Sequence, residues 1–184
     1  MTFATLGAGI LASISPQMAE TFTAADLPAA KAERYAQLAL EIDSVLEGEP
    51  DRVARMATVA AMMSAAFESY FWTGFYVADP SRDGELVVGP YQGTLGCLRI
   101  RGGQGVCGAA AQRRETVIVP DVDAFPGHIA CDSRSRSEIV TPVFGPDGAL
   151  IAVFDVDSEA LGAFDEADAA GIEAIMRRVF AARR

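Results

Sequence analysis

A single histidine, a single tryptophan and three cysteines are all that 184 residues offer of the side chains most used for metal ligation, aromatic stacking and redox chemistry. The cysteines, Cys97, Cys107 and Cys131, form no CxxC pair, and an odd number is a poor disulfide framework. A chain long enough to bury a full core needs no such staples, so free thiols in a reducing compartment are the expectation. Basic residues are also scarce. Fifteen Lys and Arg against twenty-five Asp and Glu give a formal charge of −10, which argues against a nucleic-acid partner. No apolar run reaches the roughly 18 residues of a membrane span, so no membrane association is expected. No Lys or Arg precedes Lys31, so the uncharged stretch 1–17 lacks the basic region of a signal peptide. It reads as a tag or an early start ahead of Met18, and the expected location is cytoplasmic. Residues 1–27 are read as an extension outside the fold, and 28–184 as one domain.

What remains is ordinary globular composition, half of it apolar. Tyr35, Leu38, Ile42 and Val45 recur at helical spacing, which predicts a helix over 28–46. Gly48 ends it, and Pro50 fits the first turn of a second helix. Val53, Met56, Val59, Ala60, Met63 and Phe67 fall on one face of that helix. Strands are predicted over 73–78, 85–88, 97–100 and 116–119, with a helix over 106–113 after Gly102, Gly103 and Gly105. Segments 138–144 and 149–156, joined by Gly-Pro-Asp-Gly, read as a hairpin, and 164–180 as a closing helix. Short turns between strands favour an antiparallel sheet with packed helices, an α+β fold. The polar stretch Asp121 to Arg136 predicts a long loop, and long loops in compact domains are usually functional.

Cys107 stands at the start of a predicted helix, where free N–H groups and the helix dipole favour a thiolate. Cys131 stands in the long loop near His128, Arg134 and Arg136, whose charges would lower its pKa. A small buried hydrophobe is the alternative for each thiol. Zinc held by Cys97, Cys107, His128 and Cys131 is another, although the spacing lacks paired knuckles. His128, after Pro126-Gly127, reads as shaping a turn.

Asp155 and Asp157 end an apolar strand and, two residues apart, face the same side. An Asp inside such a run is not explained by a solvated strand end. Glu138 opens the antiparallel partner strand, so it lies at the same sheet end. Three converging carboxylates suit an amine, a metal or a shared proton. Trp72 and Tyr76 share one face of their strand and could wall a pocket.

Residues 28–182 resemble the free methionine-(R)-sulfoxide reductases, single GAF-type domains. The resemblance rests on FWTGFYV (71–77), VVGPYQG (87–93), GCLRI (96–100), GQGVCGAAA (103–111), DVDAFPGHIACDSRSRSEIVTPVF (121–144) and FDVDS (154–158). Phe71 and Phe154 depart from the residue types usual there. The resemblance implies that Cys131 is the nucleophile, Cys97 the resolving thiol and Cys107 a third thiol able to join exchange. It also implies that Trp72 and Tyr76 line the substrate pocket and that Glu138, Asp155 and Asp157 are its carboxylates. The implied reaction reduces free L-methionine-(R)-sulfoxide with no metal and no cofactor; it leaves a sulfenic acid on Cys131 that Cys97 converts to an intramolecular disulfide, and thioredoxin restores the thiols. Oligomeric state stays open, a homodimer being one option. The alternative from another class is a non-catalytic GAF module that binds a small molecule.

Overall fold

The computed structural model describes residues 27–82 and 84–181; the expected extension up to residue 26 lies outside them. Four α-helices, α1 (Lys31–Val45), α2 (Arg52–Ala66), α3 (Gly105–Arg113) and α4 (Glu166–Met176), accompany six strands. The strands are β1 (Trp72–Ala78), β2 (Leu86–Gln92), β3 (Arg99–Ile100), β4 (Val117–Val119), β5 (Ser137–Phe144) and β6 (Leu150–Ser158). They form one antiparallel sheet in the order β3-β2-β1-β6-β5-β4, which is the expected α+β class.

Period-two alternation divides the sheet into two faces. Phe75, Ile139, Phe154 and Val156 point to one face and pack with α1, α2 and α4. Trp72, Tyr76, Val140 and Val153 point to the other, under α3 and the long loop. Phe154 is fully buried against Phe75, ring centroids 4.9 Å apart, so its aromatic ring sits within the first layer.

The starts of α2 and α4 follow from capping more than from periodicity. Asp51 accepts a bond from Ala54 N, so it is the N-cap of α2, and Pro50 lies just outside the helix instead of in its first turn. The face read for α2 holds at Met56, Val59, Ala60 and Met63, but Val53, its second residue, is 62% exposed. On α1 the same drift leaves Val45 exposed and buries Leu46 in its place. Asp165 and Asp168 form a capping box at the start of α4. That helix passes at Arg177 into a π-helical turn that runs to Ala181.

Two strand readings change. β2 runs on to Gln92, four residues beyond Val88, because Thr73 and Gly74 of β1 extend the pairing to Gln92 and Tyr91. β3 is only Arg99–Ile100, so Cys97 precedes the strand instead of opening it. Its chain is drawn aside by a covalent tie to the long loop, described next. That loop contains one 3₁₀ turn, Val122–Ala124, held by Val122 N to Arg136 O at 3.0 Å.

Candidate active site

Cys97 and Cys131 are joined by a disulfide, with Cα atoms 5.3 Å apart. The bridge links the β2–β3 loop to the long loop across 34 residues. Cys131 is exposed and lines a cavity, while Cys97 is half-buried against the apolar cluster on that face of the sheet. The default of free thiols therefore fails for this pair, and the bridge joins the two cysteines that the resemblance implies as nucleophile and resolving thiol. The pair is also withdrawn, in this oxidised form, from the zinc set formed with Cys107 and His128.

Below the bridge lies the cavity, about 30 Å³ in volume. Its floor is the end of β5 and β6. Glu138 pairs directly with Asp157 across the two strands, and Asp155 sits one pleat further in, opposite Val140. All three carboxylates line the cavity together with Cys107. The donor atoms of Cys107, Glu138 and Asp155 lie within 4.8 Å of one another, a group able to hold a cation. Asp155 Oδ1 is buried without a hydrogen-bond partner. An orphaned carboxylate oxygen beside another acid is costly unless a proton or a cationic ligand meets it.

Burial drives the titration of this group, and mutual repulsion adds to it. Desolvation, followed by the charges of Asp155 and Asp157, holds the Glu138 carboxyl well above the ordinary range. Desolvation and then Asp157 do the same to Asp155. Asp157 is pushed up to about 6 by burial, against the bond it accepts from the Ser135 hydroxyl. The trio retains protons near neutrality as a set.

Cys107 departs from its expected ionisation. Its place in the first turn of α3 favours a thiolate, but the side chain is only 3% exposed. Burial and then Asp155, Glu138 and Asp157 push its thiol well above the usual value. Three nearby carboxyls and desolvation outweigh a helix terminus.

Trp72 and Tyr76 form the wall. Their rings stack at 5.5 Å, and Tyr91 also stacks with Trp72, at 5.2 Å. Trp72 Nε1 donates to Thr94 O at 3.1 Å, and the Thr94 hydroxyl donates to Asp132 at 2.6 Å. Arg134 holds Asp132 at 2.9 Å and lies over the Phe71 ring at 4.9 Å. This chain of contacts seats the residue after Cys131 against the aromatic wall. Gly96 approaches from the other loop: a Cβ there would stand 2.9 Å from the Tyr76 hydroxyl and 3.1 Å from Trp72. His128 shapes its turn as expected, its N–H bonding Phe125 O at 3.1 Å. Its ring lies 3.7 Å from Glu138, and burial holds it below its ordinary pKa, towards the neutral form.

The structure thus gathers Trp72, Tyr76, Cys107, Cys131, Glu138, Asp155 and Asp157 round one cavity, with Cys97 bonded at its edge. Sequence reasoning missed Tyr91, Ser135 and the Thr94–Asp132 tie. Tyr91 was within reach, because an alternating β2 carried past Val88 faces β1 near Trp72. Ser135 and Thr94 sit in irregular chain, where no periodicity marks them.

A GAF-domain model matches residues 50–182 of the chain. A Dictyostelium discoideum protein described as GAF domain-containing protein A is 49% identical over 138 residues, 75% of this chain and 85% of that protein. The free methionine-R-sulfoxide reductase of Saccharomyces cerevisiae is 37% identical over 153 residues, 81% of this chain and 85% of the yeast protein. Among solved structures, the free methionine-R-sulfoxide reductase of Neisseria meningitidis in complex with its substrate superposes with a TM-score of 0.79 at 48% identity. That match covers 83% of this chain and 89% of the Neisseria chain.

Proposed function

This chain belongs to the GAF-domain family and, within it, to the free methionine-R-sulfoxide reductases, and from that membership we propose that it reduces free L-methionine-(R)-sulfoxide to methionine. The observation that carries the reading is the Cys97–Cys131 bridge, whose exposed Cys131 lines the same cavity as a buried carboxyl cluster.

The chemistry requires a soft nucleophile, a proton and a place for a cation. In the reduced enzyme the Cys131 thiolate attacks the electron-poor sulfoxide sulfur. The sulfoxide oxygen is a poor leaving group unless it is protonated as it departs. A carboxyl held neutral by its surroundings can supply that proton. We assign this to Glu138, whose carboxyl is well above the ordinary range and which lies beside the long loop that carries Cys131. The protonated oxygen bonds to Cys131 Sγ, the bond between Cys131 and the substrate sulfur breaks with its electron pair on that sulfur, and methionine leaves behind a sulfenic acid. The Cys97 thiol condenses with the sulfenic acid, forming the disulfide and releasing water. A dithiol, thioredoxin in this reading, then restores both thiols.

Free substrate is preferred because it carries an α-ammonium. Asp155 and Asp157 receive it, and the unpartnered Asp155 Oδ1 is a ready acceptor. Its positive charge draws the protons off these carboxyls, offsetting their repulsion. The S-methyl group rests against Trp72. Cys107, buried and protonated, acts here as a neighbour of Asp155 instead of a second nucleophile.

Turnover of both sulfoxide epimers, free and N-acetylated, tests the reading with dithiothreitol as reductant. Activity confined to the free (R) epimer is expected. Equal rates on free and acetylated substrate would remove the role given to the carboxylates. Without reductant, Cys131→Ser should release no methionine, and Cys97→Ser should release about one equivalent. A full burst from Cys131→Ser would move the nucleophile elsewhere.

A further inference from the structure

Reopening the bridge requires a thiolate to attack one of two sulfurs, in line with the bond that breaks. The two are unequal in this fold. Cys131 is exposed, whereas Cys97 packs against the apolar layer beneath it, and its neighbour Gly96 lies on Tyr76 and Trp72. The surroundings are unequal to the rest of the surface as well. Seven large apolar side chains are exposed among the described residues, and three of them lie within two residues of a bridge cysteine. These are Leu95 (84% exposed), Leu98 (76%) and Ile129 (36%). Isolated exposed leucines need no explanation, but a group collected round a redox-active bond marks a contact surface. A small thiol gains nothing from such a rim, whereas a protein thiol must bring a surface with it.

We propose that the disulfide is reopened by attack at the Cys131 sulfur, delivered by a protein dithiol that docks on the apolar rim of Leu95, Leu98 and Ile129. This rests on the proposed function, from which the redox role of the bridge is taken, and it adds the route and the surface. The partner's thiolate bonds to Cys131 Sγ, the Cys97–Cys131 bond breaks, and its electron pair leaves on Cys97, which takes a proton from water. The partner's second thiol, deprotonated, then attacks the partner's own sulfur in the mixed disulfide and expels Cys131 as a thiolate. The partner leaves with one disulfide, and this chain regains two thiols. The product of this route is the nucleophile itself, uncovered at the cavity it serves.

The oxidised full chain mixed with thioredoxin whose second active-site cysteine is replaced by serine tests the route. Acid quenching followed by peptide mapping locates the trapped partner, and no methionine sulfoxide is used, so the outcome is separate from the substrate assignment. The expected adduct is on Cys131 with Cys97 free. An adduct on Cys97 overturns the route. So does the absence of any adduct from a bridge that dithiothreitol opens. Leu98→Glu, outside the cavity lining, tests the surface. Thiol release by intact thioredoxin should slow about tenfold, as expected for a charge placed in an apolar contact, while release by dithiothreitol stays unchanged. No slowing with thioredoxin, or equal slowing with both reductants, overturns the docking surface.

Discussion

Asp155 shows what one residue costs and does. It is 5% exposed in an otherwise apolar strand, beside two further acids, with one oxygen unpartnered. Its folded pKa lies well above the unfolded value, so the native state holds a proton that the unfolded chain releases from about pH 4 upward. Stability from this site is therefore full below about pH 4 and is lost as pH rises through the folded pKa. Asp155→Asn keeps the shape and removes the charge. It should stabilise the substrate-free protein at pH 8 by on the order of 1–3 kcal/mol, with the gain vanishing near pH 3. Urea unfolding at both pH values measures this, and a variant less stable at pH 8 would contradict the repulsion. The same variant should raise the Michaelis constant. Glu138→Gln should instead lower turnover by about 10²-fold or more, with a smaller change in that constant, as removal of a general acid does. Wild-type turnover should fall as pH rises through the raised Glu138 pKa, and a pH profile of kcat for both enzymes tests the assignment.

At the scale of elements, the site depends on two loops held against one wall. The wall is Tyr91, Trp72 and Tyr76, stacked across β2 and β1. The long loop is tied to it through Asp132 and Thr94, and the β2–β3 loop through the close approach at Gly96. A methyl group at Gly96 would press on Trp72 and Tyr76 and push Cys97 outward. Gly96→Ala should slow closure of the disulfide after the sulfenic acid forms by about tenfold or more, since small misplacements of reacting groups cost that much. Methionine release in the first turnover should suffer less. Rapid-quench measurement of methionine and of remaining thiols separates the two steps. Equal slowing of both would mean that the loop position serves the substrate and not the bridge.

At the scale of the whole molecule, the sheet separates a structural layer from a chemical one. The structural layer is completed by α1 lying on α4. There the Tyr35 hydroxyl donates to Asp168 at 2.9 Å, Lys31 reaches the same carboxylate at 2.5 Å, and Tyr70 bonds Tyr35. The Tyr35 ring packs onto Gly171, where a Cβ would come 2.2 Å from its Cγ. Gly171→Ala should therefore cost about 1–3 kcal/mol or more through overpacking. Because the sheet stands between Gly171 and the cavity, the folded fraction should keep its Michaelis constant. A lowered urea midpoint with unchanged kinetics is the expected pair of results. A shifted Michaelis constant would show that the two layers communicate. No helix among the described residues is long and apolar enough to cross a membrane, in line with the hydropathy of the chain.

The class of fold was legible in the chain, because the apolar runs 138–144 and 149–156 around a Gly-Pro-Asp-Gly turn and the helical spacing in 28–67 are local signals that survive without knowledge of partners. The sequence also determined that three carboxylates meet at one sheet end, since a hairpin turn fixes register and period two fixes the face. Other features depend on contacts between distant parts of the chain. Val53 and Val45 carry the right period but lie at the ends of their helices, and both are exposed. The state of Cys107 depends on groups 31 and more residues away, whose charges and desolvation reverse what its helix position favours. The pairing of Cys97 with Cys131 is implied by the family resemblance and not by any pattern in the chain: two irregular loops meet over the aromatic wall, and irregular chain carries no period from which such a meeting is read.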